Sequence, residues 1–257
     1  TVMNLGSIEA DEFAALIGGK ASNDGSLSVP SGSAALLAGD AVIEVGQAEG
    51  GMISLDLSGL LGGVAKNSGL IDVSSSTTLG GQATILGDEV ENSGLIDASG
   101  LDGGGIVRVG GDYLGSNPSI SNSLKSSISG TILANAIRSG DGGRVIVWSD
   151  DYTEFTGNIE ALGGNGFVET SSKNNLQAHG SVSAPGGEWL LDPTDVTISN
   201  SGITDDSVAD GTFTSSGDTA VIDKDDIESA LSGGTSVTIN TTSAGGGNGD
   251  ITLDATI

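Results

Sequence analysis

Asn67-Ser68-Gly69-Leu70-Ile71-Asp72 and Asn92-Ser93-Gly94-Leu95-Ile96-Asp97 are one phrase written twice, 25 positions apart. A short β-type run beside a glycine, returning at that interval, is what a stacked β-solenoid needs, because each coil must lay an equivalent strand over the one before. Looser copies centre on Gly6, Gly25, Gly130, Gly157 and Gly180. Most intervals between these glycines are 19 to 27 residues. The 44-residue interval from Gly25 to Gly69 reads as two coils, the middle one near Asp40 to Ser54 having lost the phrase. The 36-residue interval from Gly94 to Gly130 reads as one coil with an outward loop, Gly111 to Ser127, around Pro118.

A second phrase sets which side chains face inward. Aligning Gly104-Gly105-Ile106-Val107-Arg108-Val109, Gly142-Gly143-Arg144-Val145-Ile146-Val147, Asn165-Gly166-Phe167-Val168-Glu169-Thr170 and Gly186-Gly187-Glu188-Trp189-Leu190-Leu191 gives two columns. They are Val107, Val145, Val168, Trp189 and Val109, Val147, Thr170, Leu191; all but Thr170 are apolar, so both should point into a core. Arg108, Arg144, Ile146, Phe167, Glu169 and Glu188 then fall on the outward face. The fold class is all-β, a parallel β-helix (β-solenoid), with residues 1–200 as shaft coils and 201–257 as a continuing solenoid segment. Roughly ten coils at the ~4.8 Å strand spacing would make a rod about 50 Å long.

One stretch breaks the β pattern. Asp223 reads as an N-cap, Asp225 and Asp226 as a first turn, Ile227, Ala230 and Leu231 as one apolar face, and Gly233-Gly234 as a stop. A short decorating helix is expected at about 223–232, near the C-terminal end.

The composition has 44 Gly and 4 Pro, with Val, Ile and Leu in short runs, which suits a thin core bounded by frequent turns. With 8 basic and 34 acidic residues the net charge is −26, which repels nucleic acid and anionic membrane surfaces. No apolar run approaches a membrane span, so no membrane insertion is expected. Cysteine is absent, leaving a disulfide-free stack. The first residues already read as a coil, which suggests a mature segment of a longer exported protein.

No cofactor is expected, although clustered carboxylates suggest calcium, at Asp150, Asp151 and Glu154, at Asp205-Asp206, or at Asp223 with Asp225-Asp226. The calcium β-roll nonapeptide and the EF-hand spacing are both missing. For catalysis, acids are plentiful but basic partners are scattered, so no enzyme is expected and a carbohydrate-active β-helix is the reading set aside. His179 lacks any triad or metal-ligand spacing and is expected as an exposed turn residue. Trp148, Tyr152 and Phe155 lie within eight residues, with Phe167 on a neighbouring coil. Trp148 is out of phase with inward Val145 and Val147, so the three rings are either a glycan-stacking face or an external cluster that stiffens a turn. Trp189 reads as a core plug.

Four motifs in order, Gly140-Asp141-Gly142-Gly143-Arg144-Val145-Ile146-Val147-Trp148-Ser149-Asp150, Phe155-Thr156-Gly157-Asn158-Ile159-Glu160-Ala161, Gly166-Phe167-Val168-Glu169-Thr170-Ser171 and Gly187-Glu188-Trp189-Leu190-Leu191-Asp192-Pro193, closely resemble filamentous-haemagglutinin-like exoproteins of two-partner secretion. The resemblance is close over about residues 130–200 and more general elsewhere. It implies a secreted, surface-located, right-handed parallel β-helix exported through a dedicated outer-membrane transporter and serving in adhesion, biofilm formation or filament building. Cell-surface or matrix glycans and proteins, and self-association along the rod, are the partners it implies. A ligand-capture module of the same family, for a glycan or a haem-carrier protein, is the alternative. The family's amino-terminal secretion signatures of Asn-Pro-Asn type are not recognisable in these residues.

Overall fold

A computed structural model of the chain describes residues 1–39, 44–47, 53–56, 62–200, 219–241 and 247–257. Short strands stack rung on rung into three parallel sheets of ten, seven and eight strands. One coil shows the plan: Glu89–Asn92 lies in the first sheet, Leu95–Asp97 in the second and Ile106–Val109 in the third. Each pairs in parallel with the corresponding strand of the next coil, Lys125–Ile128, Thr131–Leu133 and Arg144–Val147. The chain is therefore a parallel β-solenoid.

Coil register follows the sequence phrase. Leu70, Ile71 and Asp72 pair with Leu95, Ile96 and Asp97 across the 25-residue repeat. The phrase glycines stack directly: a Cβ on Gly69 would lie 2.0 Å from the carbonyl oxygen of Gly25, and one on Gly94 would lie 2.1 Å from that of Gly69. No side chain fits a gap that small. Close approach of successive backbones, rather than a left-handed φ, is what demands glycine at this point.

The third-sheet columns are in register, Val107 with Val145 and Val168, Val168 with Trp189, and Val109 with Val147 and Thr170. All of them, with Leu191, are fully buried. Thr170, the polar exception, accepts a hydrogen bond from the Trp189 indole Nε1 at 2.9 Å, so its hydroxyl enters the core satisfied.

A first-sheet column is polar for half its length. Asn4, Asn23, Asn67 and Asn92 are all buried, and each amide Nδ2 donates to the Oδ1 of the next at 2.8 Å. The ladder continues in register as Ile128, Phe155 and Ala178. Amides on one side and apolar side chains on the other can share a column because the ladder satisfies its members internally.

Three features depart from the sequence reading. Strand Lys20–Asn23 pairs directly with Val64–Asn67, so the 44-residue interval holds one coil step and an insertion, not two coils. Within that insertion Glu44–Gln47 and Ile53–Asp56 pair antiparallel, outside the stack. Among the described residues the three sheets make seven complete coils and an eighth, roughly 38 Å at ~4.8 Å per rung, and two further strands extend the first sheet alone. The described coils number fewer than ten because chain length is spent in excursions.

The far end is rearranged. Strand Thr219–Asp223 stacks against Asn175–Ala178, and the earlier strand Asp195–Ser199 lies beyond it with Ile251–Asp254. In the eighth coil the helix Lys224–Ser232 stands where other coils place a second-sheet strand, packing on Ser181–Ser183, and the chain then returns to the third sheet as Ser236–Ile239. Asp223 caps the helix by accepting from the Asp225 backbone N–H at 2.9 Å. Ile227 and Ala230 are buried, whereas Leu231, expected on the same face, is 46% exposed.

Candidate functional site

The outward face of the third sheet is roofed. Between strands Ile106–Val109 and Lys125–Ile128 the chain makes an excursion, 110–124, which contains a single turn of 3-10 helix, Tyr113–Gly115. It folds back over residues that alternation assigns to solvent. Ile146 and Glu169 beneath it are fully buried. Arg144 lies over two rings, its guanidinium carbon 4.8 Å from the Tyr113 centroid and 4.6 Å from that of Phe167. Tyr113 and Phe167 meet edge to face at 5.8 Å.

Glu169 closes this arrangement from below. Its two carboxyl oxygens accept from the Leu114 backbone N–H at 3.1 and 3.3 Å. Burial pushes its pKa up to about 8 against the opposing hydrogen bonds of Leu114 and Ser171. Asp192 adds to the rise and Arg144 works against it.

The expected glycan-stacking face is closed, and each ring is hidden for its own reason. Trp148 leaves the inward column as its phase requires, but the excursion covers it, and only 3% is exposed. A Cβ on Gly115, at φ +56°, would stand 2.4 Å from the indole. The indole Nε1 donates to Asp150 Oδ1 at 3.1 Å. Tyr152 is buried opposite Lys125 and Asn175. Phe155 is a core residue in the asparagine column, edge to face with Trp189 at 6.4 Å. Its place was legible, since Phe155 precedes Gly157 by two residues, as Asn67 precedes Gly69.

Asp150, Asp151 and Glu154 do not converge. Asp150 accepts from Asn122 at 3.0 Å as well as from Trp148, whereas Glu154 accepts from Ser127 at 3.2 Å. Asp151 is exposed, with Asn174 at 3.5 Å. These carboxylates tie down the excursion and the coil corner separately, which leaves no shared cage for calcium. Asp205 and Asp206 lie outside the described residues.

A different set does converge among the described residues: His179, Asp223 and Asp226 each offer a donor atom within 4.8 Å of the others. His179, expected as an exposed turn residue, is half-buried after strand Asn175–Ala178. Burial lowers its pKa, opposed by Asp223, while burial and the neighbouring Asp223 and Asp225 push Asp226 up to about 6. No spacing rule joins residues so distant in sequence; the coil register does.

Where the tip of the excursion meets the sheet, a groove of about 250 Å³ is lined by Phe13, Gln82, Thr84, Arg108, Asn117 and Ile120, among others. Arg108 Nε lies 3.2 Å from Asp112 at the edge of the excursion.

No family model and no curated protein matches the chain. Among solved structures it is similar to the crystal structure of the HMW1 secretion domain from Haemophilus influenzae, with 27% identity and a TM-score of 0.47. The match covers 72% of this chain and 64% of that one. No helix among the described residues is long and apolar enough to cross a membrane.

Proposed function

We propose that this chain is a secreted, non-catalytic segment of a bacterial surface protein, exported by two-partner secretion and acting in adhesion, biofilm or filament building. The observation that carries the reading is the parallel stack, in which seven successive coils repeat one glycine phrase. Such a scaffold is a spacer and a display surface, stabilised by neighbour-on-neighbour packing. The ordered motifs from Gly140 to Pro193 connect it to the filamentous-haemagglutinin-like exoproteins, whose outer-membrane transporter is the export partner the reading requires. A net charge of −26 keeps the rod away from nucleic acid and anionic membrane surfaces and discourages pairing at its edges.

The test has two arms. Beads coated with the folded chain should attach to epithelial cells or to a biofilm matrix more than beads coated with the heat-unfolded chain. Acidic and neutral polysaccharides incubated with the chain should release no shortened products. Depolymerisation that scales with folded protein would overturn the non-catalytic reading, and equal attachment of both bead types would overturn the adhesive one.

The groove beside the excursion favours a second reading, ligand capture. Phe13 and Ile120 supply apolar surface for a sugar ring, while Gln82, Asn117 and Arg108 supply amides and a guanidinium suited to a uronic or sialic acid. Glycan binding lost in Phe13→Ala and Arg108→Gln, but kept in Trp148→Phe, would place the contact there.

A further inference from the structure

His179, Asp223 and Asp226 come from a strand terminus, a helix cap and a first helical turn, and meet because Ala178 pairs with Ile222 one residue earlier. The geometry points to a site for one borderline divalent cation, with Zn(II) as the type case, held by the His179 imidazole and the Asp223 and Asp226 carboxylates, that fastens the helix to the seventh coil.

The donor set selects the ion. One imidazole nitrogen with two carboxylates suits zinc and its first-row neighbours, whereas calcium prefers oxygen ligands throughout. Metal–ligand bonds of ~2.0–2.2 Å place tetrahedral donors roughly 3.4 Å apart. Donors already within 4.8 Å reach that spacing by small side-chain rotations, and none of the three residues is locked in the core. Charge favours the same conclusion: Asp223, Asp225 and Asp226 crowd four positions, and Lys224 is engaged by Asp225 and Glu228. The positive end of the helix dipole opposes a cation, but two carboxylates in direct contact outweigh half a unit charge.

The location gives the ion a purpose. Elsewhere each rung is tied to the next by strand hydrogen bonds, but the helix replaces a strand and so makes none of the ladder bonds that Ser181–Ser183 offers on that side. A cation bridging His179 to the helix start supplies that missing tie.

The test uses the full chain after chelator treatment, titrated calorimetrically with ZnCl2 and followed by thermal unfolding. One equivalent of Zn(II) should bind and raise the melting temperature, and EDTA should reverse the rise. His179→Ala and Asp226→Asn should each weaken binding by about tenfold or more, while Asp225→Asn in the same turn, which removes a nearby charge but no ligand, should weaken it far less. Co(II) should give the visible bands of a tetrahedral site in the parent chain but not in His179→Ala, and circular dichroism should show each variant folded. Absence of Zn(II) binding, binding undiminished in folded His179→Ala and Asp226→Asn, or a preference for Ca(II) would each overturn the assignment.

Discussion

Glu169 carries its carboxyl group into a space closed to water, under a backbone N–H that belongs to a segment 55 residues away. Its pKa is about 8 in the folded chain and 4.5 in the reference state, so the folded chain holds this proton more tightly than the unfolded one does. Stability from this group is complete below pH 4.5 and declines as pH rises toward 8, by up to roughly 1.4 kcal/mol for each unit within that window. Glu169→Gln keeps an acceptor for Leu114 and removes the titration. Denaturant unfolding between pH 5 and 8 should therefore show a decline for the parent chain that the variant largely lacks. A second residue-level outcome concerns Asn67, which joins Asn23 to Asn92. Asn67→Ala strands the Asn92 carbonyl and costs Asn23 one acceptor, a loss of about 2–3 kcal/mol. Replacing all four asparagines by isoleucine, the residue the chain itself uses at 128, should cost less than the sum of the single changes, because no polar group is then left unpaired.

Among the elements, the excursion 110–124 is the outward loop that the interval from Gly94 to Gly130 called for, but alternation could not foresee that it folds back over the third sheet. The period-2 rule identified Val107, Val145 and Trp189 as core because inward facing is a local property of a strand. It also assigned Glu169, Phe167 and Ile146 to the outward face correctly, yet Glu169 and Ile146 are buried, because what covers a sheet from outside is decided by a remote loop. The glycine register and the helix cap at Asp223 were legible for the same local reason. The hidden rings of Trp148 and Tyr152 were not, and neither was the meeting of His179 with Asp223. Gly115→Val tests the roof directly: at φ +56° and against the indole, a branched side chain must displace the excursion. Of the two tryptophans, Trp148 should become accessible to acrylamide, with red-shifted emission, while Trp189 stays protected. Unchanged quenching would mean that the excursion does not depend on this contact.

On the scale of the whole molecule, each coil leans only on its neighbours, so the rod behaves as a one-dimensional array. Under tension applied through its two ends, such an array peels from an end, one rung at a time, and every rung lost pays out its own length of chain. A 25-residue coil yields about 85 Å at ~3.4 Å per residue, and a force spectrum should show a train of steps near that size. Two intervals depart most from it: 44 residues separate Asn23 from Asn67 and also Ala178 from Ile222, each a pair of stacked partners, so the release of either should appear as a step of roughly 150 Å. Long steps thus sit near both ends of the stack, but only the N-terminal end precedes its long step with the short 19-residue interval from Asn4 to Asn23, so a short step at the head of the train reports that this end gives way first.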